Sequence, residues 1–192
     1  MQRLDLVVGP NGAGKSTFIA FTLARLLPAS LVVNADEIAR QRWPEEPAGH
    51  AYDAARIAAE TRAKLIDLGR SFIAETVFSH PSKLDLIHSA RRVGFTVVVH
   101  ALLIPEDLAV ERVRHRVRAG GHDVPETKVR ERHRRLWTPV TEALALADVA
   151  TAYDNSRLRG PRIVARLSGG MTVGRPDWPA WTPGTVRSRW TE

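Results

Sequence analysis

The sequence predicts an α/β fold in which a parallel sheet is flanked by helices. Three observations carry that expectation. Apolar, β-branched runs alternate along the chain with alanine- and charge-rich stretches of helical length. The run 95–104 is nearly continuous in Val, Leu and Ile, the pattern of a strand covered on both faces. The first run, 4–8, passes directly into Gly9, Pro10, Asn11, Gly12, Ala13, Gly14, Lys15 and Ser16, with the helix-compatible stretch 17–27 behind it.

The eight residues 9–16 match G-x-x-x-x-G-K-[ST] in full, between a strand and a helix as the pattern requires. Glycines let backbone N–H groups converge on phosphate oxygens, and the positive end of the following helix adds to the cradle. Lys15 is expected to reach the β- and γ-phosphates, and Ser16 to ligate Mg²⁺; Thr17 completes the loop. ATP with Mg²⁺ is therefore the expected cofactor pair.

The remaining elements follow in order. Residues 31–33 read as a second strand ending at Asn34-Ala35-Asp36. A helix over 53–68 is favoured by its alanines and stopped by Gly69. A third strand over 71–74 ends at Glu75-Thr76. A helix over 82–93 is closed by Gly94, and 95–103 form the fourth, central strand. Helices over 106–119 and 126–136 flank a loop with Gly120-Gly121, and 149–153 and 162–167 close the sheet. Residues 1–173 are expected to form one domain. Residues 174–192, rich in Pro, Trp and Arg, read as an extended tail with no helical or alternating period.

Composition narrows the function. With 192 residues and 44% hydrophobic content, the chain is an ordinary globular domain. The absence of cysteine excludes disulfides and thiolate metal sites. The longest apolar run is too short to span a bilayer, and no signal-peptide pattern precedes the first strand, so a cytoplasmic location without membrane contact is expected. The net charge of +7 is concentrated between Val110 and Arg135, where eight Arg and one Lys face four acids. That stretch is a solvated helical face, a positive wall for phosphates, or a nucleic-acid patch.

In open parallel sheets, ligands bind beyond the carboxyl ends of the strands. The phosphate loop, Asn34/Asp36 and Glu75/Thr76 all fall at such ends. The longest strand carries no acid at its end, unlike the strand that holds magnesium in motor ATPases. An acid after strand two suits a general base that takes the acceptor's proton, and Asp36 fits that role, or caps the helix from Glu37 onward. Glu75 is placed to orient the acceptor or a magnesium-bound water.

At this point the chain resembles the zeta-toxin-like kinases, in their small branch. The resemblance rests on residues 9–17, Val-Asn-Ala-Asp at 33–36, Phe-Ile-Ala-Glu-Thr at 72–76, Arg-Val-x-x-Arg-Val at 112–117, Gly-Gly-His-Asp-Val-Pro at 120–125 and Tyr-Asp-Asn-Ser at 153–156. It implies a P-loop kinase fold with an arginine-rich lid and phosphorylation of a sugar hydroxyl, best known on UDP-N-acetylglucosamine. By position it makes Lys15 the phosphate lysine, Asp36 the base, Glu75 and Thr76 part of the acceptor pocket, and Arg112, Arg116 and Arg118 the charge-stabilising arginines. It also raises an antitoxin as a partner, of which this chain shows no trace. The chain is shorter than the larger toxins, and Thr76-Val77 follows the acid where those favour glycine then threonine. Two other readings stay open: a polynucleotide or RNA-end kinase, and a nucleotide-binding regulatory module without transfer activity.

Overall fold

The computed structural model describes residues 2–78, 80, 83–118 and 124–190. Seven strands form one sheet: β1 (Arg3–Val8), β2 (Leu31–Asn34), β3 (Phe72–Thr76), β4 (Thr96–Leu103), β5 (Val149–Asp154), β6 (Arg162–Ser168) and β7 (Met171–Thr172). Their spatial order is β2-β3-β1-β4-β5-β6-β7. The first five pair in parallel, and β6 and β7 are antiparallel. The sheet is thus mixed rather than wholly parallel. The reason lies in the connection 155–161, which is too short to carry a crossover helix, so β6 can only return beside β5 in the opposite direction.

The helices are α1 (Lys15–Phe18), which continues through a π-helical segment (Ile19–Leu23) into α2 (Ala24–Leu26), then α3 (Ala35–Arg42), α4 (Ala51–Asp67), α5 (Leu84–Arg92), α6 (Glu106–Arg118), α7 (Glu126–Arg135), α8 (Trp137–Leu146) and α9 (Gly184–Arg187). Strand alternation divides the core between the two sheet faces. Leu4, Leu6 and Val8 of β1 look to one side with Val97, Val99 and Ala101 of β4, against residues of α4, α5 and α8. Val7, Ile73 and Leu102 look to the other side, against α1 and α6.

Helix α8 has no counterpart in the sequence reading, which ended its helix at Leu136. Pro139 lies in the first turn of α8, where the missing N–H would have no intrahelical partner anyway. The carboxyl-terminal residues fold back onto the domain, as the large apolar surface of three tryptophans favours. Val186 is fully buried, Trp178, Trp181 and Trp190 pack against the main core, and the Trp190 indole donates to the Gly170 carbonyl at 3.0 Å. Burying a large apolar side chain contributes roughly 1.5–3 kcal/mol. Truncation after Val173 should therefore lower the melting temperature by on the order of 10 °C. Calorimetry with size-exclusion chromatography checks this: an unchanged oligomeric state with a large drop is expected, and an unchanged melting point would refute the packing role.

Candidate active site

The site is assembled where β1, β2 and β3 end. Gly9, Gly12 and Gly14 all have positive φ, at 147°, 76° and 81°. A Cβ on Gly9 would lie 2.4 Å from the Leu102 carbonyl oxygen, so the loop is pressed directly onto β4. Gly14 is the N-cap of α1, and a Cβ there would lie 2.7 Å from the Asn155 amide nitrogen. That amide, at the end of β5, donates to the Ala13 carbonyl at 2.8 Å and clamps the loop from below. Gly14→Ala combines left-handed strain with loss of this clamp. It is expected to cost roughly 1–2 kcal/mol, to lower the melting point by on the order of 2–8 °C, and to weaken ATP binding. Thermal melting and nucleotide titration check it.

Lys15 is only 7% exposed. Its Nζ donates to the Pro10 carbonyl at 3.0 Å. Burial lowers its pKa, and the nearby Glu75 and Asp36 charges oppose that shift while Arg116 adds to it. Ser16 Oγ lies 3.0 Å from both Glu75 carboxylate oxygens, and Asn34 Nδ2 donates to Glu75 Oε2 at 2.7 Å. Glu75 therefore ties β3 to the phosphate loop and to the end of β2. Just beyond it, Phe78 is fully buried with φ 60°, and its N–H donates to the Thr76 hydroxyl. This left-handed turn at a bulky residue fixes the path of the chain away from Glu75-Thr76.

Asp36 is not the cap of α3. Asn34 is: its side-chain oxygen accepts from the N–H groups of Asp36 at 2.8 Å and Glu37 at 3.4 Å. Asp36 instead occupies the first turn with its carboxylate exposed to the cleft. The cleft encloses about 550 Å³ and is lined by Asn11, Gly12, Gly14, Lys15, Ser16, Thr17, Asp36, Glu75, Thr76, Arg112 and Arg116 among others. Gly9, Pro10 and Ala13 shape the loop from behind rather than line it. Arg112 also reaches the Gly12 carbonyl at 3.4 Å. Arg118, at the end of α6, is exposed and does not line the cleft. Residues 119–123, the centre of the expected lid with Gly120-Gly121 and His122, lie outside the described residues.

The sequence reading did not single out four basic residues that line the same cleft: Arg40, Arg62, Lys83 and Arg132. Only Arg132 sits in the basic stretch. Four of the nine cations of that stretch are held on carboxylates outside the cleft lining. Arg130 pairs with Glu106, Asp107 and Glu126, Arg134 with Glu106, Arg114 with Glu126 and Arg135 with Glu131.

The donor set fits a magnesium nucleotide. A hydroxyl and a carboxylate adjoin at Ser16 and Glu75, an ammonium is held at the loop, and no group of three His, Cys, Asp or Glu among the described residues could hold a metal unaided. That is the arrangement of an ion bound chiefly through phosphates and water. The Asn11 amide oxygen is buried without a hydrogen-bond partner, and turned over, the amide would offer its N–H groups to a phosphate.

These features define a phosphate-loop nucleotide-binding domain, and residues 4–139 match the AAA domain family. The chain belongs to that family. We found no significant match among curated protein sequences. Among solved structures, the chain is similar to one from the PezAT toxin–antitoxin system of Streptococcus pneumoniae, at TM-score 0.61 and 14% identity, over 88% of this chain and 74% of that one. It is similar to the AvrRxo1-ORF1:-ORF2 complex with ATP, at TM-score 0.69 and 15% identity, over 90% of this chain but 60% of that one. A putative kinase from Chloroflexus aurantiacus matches at TM-score 0.55 and 18% identity, over 70% of this chain and 79% of that one. The fold shared with these structures is P-loop kinase-like. No helix among the described residues is long and apolar enough to cross a membrane.

Proposed function

We propose that this protein is an ATP-dependent kinase that phosphorylates a hydroxyl of a small molecule, a nucleotide sugar being the acceptor the zeta-toxin resemblance favours. One observation carries the reading: the phosphate loop, Asp36 and Glu75 open into one cleft whose wall bears Arg112, Arg116 and Arg132. The acceptor oxygen bonds to the γ-phosphorus, the bond from that phosphorus to the β–γ bridging oxygen breaks, and ADP leaves. Asp36 accepts the hydroxyl proton and later releases it to water. Lys15, Arg112 and Arg116 stabilise charge on the transferring group. Mg²⁺, held through Ser16 with Glu75 on its water shell, would neutralise the β- and γ-phosphates. An antitoxin partner belongs to the same proposal, supported by fold likeness to a chain of a toxin–antitoxin system.

The carboxylate pairing of Arg114, Arg130, Arg134 and Arg135 disfavours an RNA-end kinase, because those side chains are already engaged rather than held out as a backbone track. The test is γ-phosphate transfer from ATP into a metabolite extract, read by mass spectrometry. A product gaining one phosphate, absent with Lys15→Ala, supports the proposal. Slow hydrolysis that no acceptor stimulates favours a regulatory nucleotide switch instead.

A further inference from the structure

The cleft continues beyond the phosphate loop toward α4, and its chemistry changes there. Ala51, Ala55, Ala58 and Arg62 follow one another at helical spacing, so they share a face of α4. Ala51 and Ala55 line the cleft and leave it wide, and Arg62 lines it further along. Arg62 is 8% exposed. Among the described residues it has neither an ion pair nor a side-chain hydrogen bond. Burial lowers its pKa with no carboxylate to oppose that shift. Lys83, on the segment after β3, lines the same part of the cleft. Its ammonium is pushed down first by burial and then by the Arg62 charge, which places the two cations close together.

Two adjacent cations, one of them buried, are costly to hold without a counter-charge. A buried Arg in a folded protein is ordinarily paired. Four other arginines of this chain show the usual solution: Arg40, Arg56, Arg130 and Arg134 all sit on carboxylates and are less buried than Arg62. Arg62 and Lys83 have the geometry of a site whose anion arrives with a ligand. The Asp36 and Glu75 carboxylates line the same cleft as this pair and the phosphate loop. One cleft thus holds the phosphate loop, the proposed proton acceptor and a second positive pole.

We infer that Arg62 and Lys83 form an oxyanion subsite, so that the phosphoryl acceptor is a hydroxyl compound that also carries a phosphate or carboxylate group. The inference rests on the kinase reading for the word acceptor, but the anion site itself does not. A guanidinium gives such a group a bidentate grip, and Lys83 adds a point charge. The unpaired charge that costs stability in the free protein is offset when the ligand binds.

The test separates this site from the phosphate loop by filling the loop first. With the full chain saturated in Mg²⁺ and a nonhydrolysable ATP analogue, methyl phosphate and acetate are titrated separately, and binding is followed by the NMR signal of the arginine Nε–H groups. Wild type is expected to bind one of the two, and Arg62→Met to bind it on the order of 10- to 100-fold more weakly. Preference for methyl phosphate assigns the subsite to phosphate esters, and preference for acetate to carboxylates. Arg62→Met is also expected to melt at or above wild type, since it removes an uncompensated buried charge, whereas a merely structural Arg62 would lose stability. Lys83→Gln, on a half-buried side chain, gives a second variant with the same expected weakening. Equal anion affinity in wild type and both variants overturns the inference, as does binding by wild type to neither anion. If Arg62 governs anion binding while no hydroxyl compound is ever phosphorylated, the kinase reading alone fails. If transfer is found on uncharged acceptors and Arg62→Met leaves it intact, the subsite alone fails.

Discussion

Replacing Lys15 with alanine is expected to lower phosphoryl transfer by on the order of 10³-fold while leaving the protein folded. The ammonium is buried at the loop, held on the Pro10 carbonyl, and flanked by the Glu75 and Asp36 charges. Entry of a nucleotide lets it exchange that carbonyl for phosphate oxygens in a site already shielded from water, where its charge acts strongly. Alanine leaves the Pro10 carbonyl facing the cleft, where water can reach it, so the cost to folding is small. The pH dependence follows from the sign of the shift. Burial holds the folded-state pKa below the ordinary value of 10.5, so the protonated lysine costs stability. That cost is fully present below the folded pKa and is relieved as pH rises toward 10.5. Lys15→Met should therefore melt at or above wild type at neutral pH, with an advantage that narrows as the pH approaches 10.5. Turnover and melting measured on the same preparation check both halves. Normal transfer by folded Lys15→Ala would sink the kinase assignment.

The strand–loop–helix start was legible because each of its parts is local: an apolar run, three glycines with positive φ, and a lysine and serine at fixed offsets. The strand-end acids were legible because parallel topology brings successive strand ends to one edge. Arg62 and Lys83 were not. They lie on a helix and a loop, with nothing in sequence to mark them as neighbours, and only the packing of α4 against β2 and α5 brings them into the cleft. Asn155 was visible as part of a motif, but its grip on the Ala13 carbonyl needs β5 to lie two strands from β1, which no local pattern encodes. The helix cap stayed open between two roles for Asp36 for a related reason. Asn34 and Asp36 are both good caps by type, and the choice between them depends on where β2 stops. The tryptophan-rich tail has no period because its side chains fill gaps left by α8 and the sheet rather than forming a face of their own. The antiparallel β6 and β7 follow from the length of one connection.

Asp36→Asn is expected to cut turnover on the order of 10²–10⁴-fold with little change in the affinity for Mg-ATP. The amide has the size of the carboxylate and leaves the Asn34 cap untouched, because that cap receives the backbone N–H of residue 36 and not its side chain. What the amide lacks is the ability to take a proton. The carboxylate is open to the cleft and shares its lining with Glu75 and Lys15. Of the two acids it is the free one, since Glu75 already accepts from Ser16 and Asn34. Removing a negative charge from the first turn of α3 costs only about 0.3–1 kcal/mol through the helix dipole, so melting should fall by no more than about 4 °C. Loss of activity on that scale therefore cannot be unfolding. The deciding measurement pairs single-turnover transfer at saturating ATP with nucleotide titration by calorimetry. A large fall in the first with the second unchanged identifies Asp36 as the base. Weakened Mg-ATP binding with transfer spared at saturation would place Asp36 in the metal's shell, and the proton would then have to pass to water or to the phosphate itself.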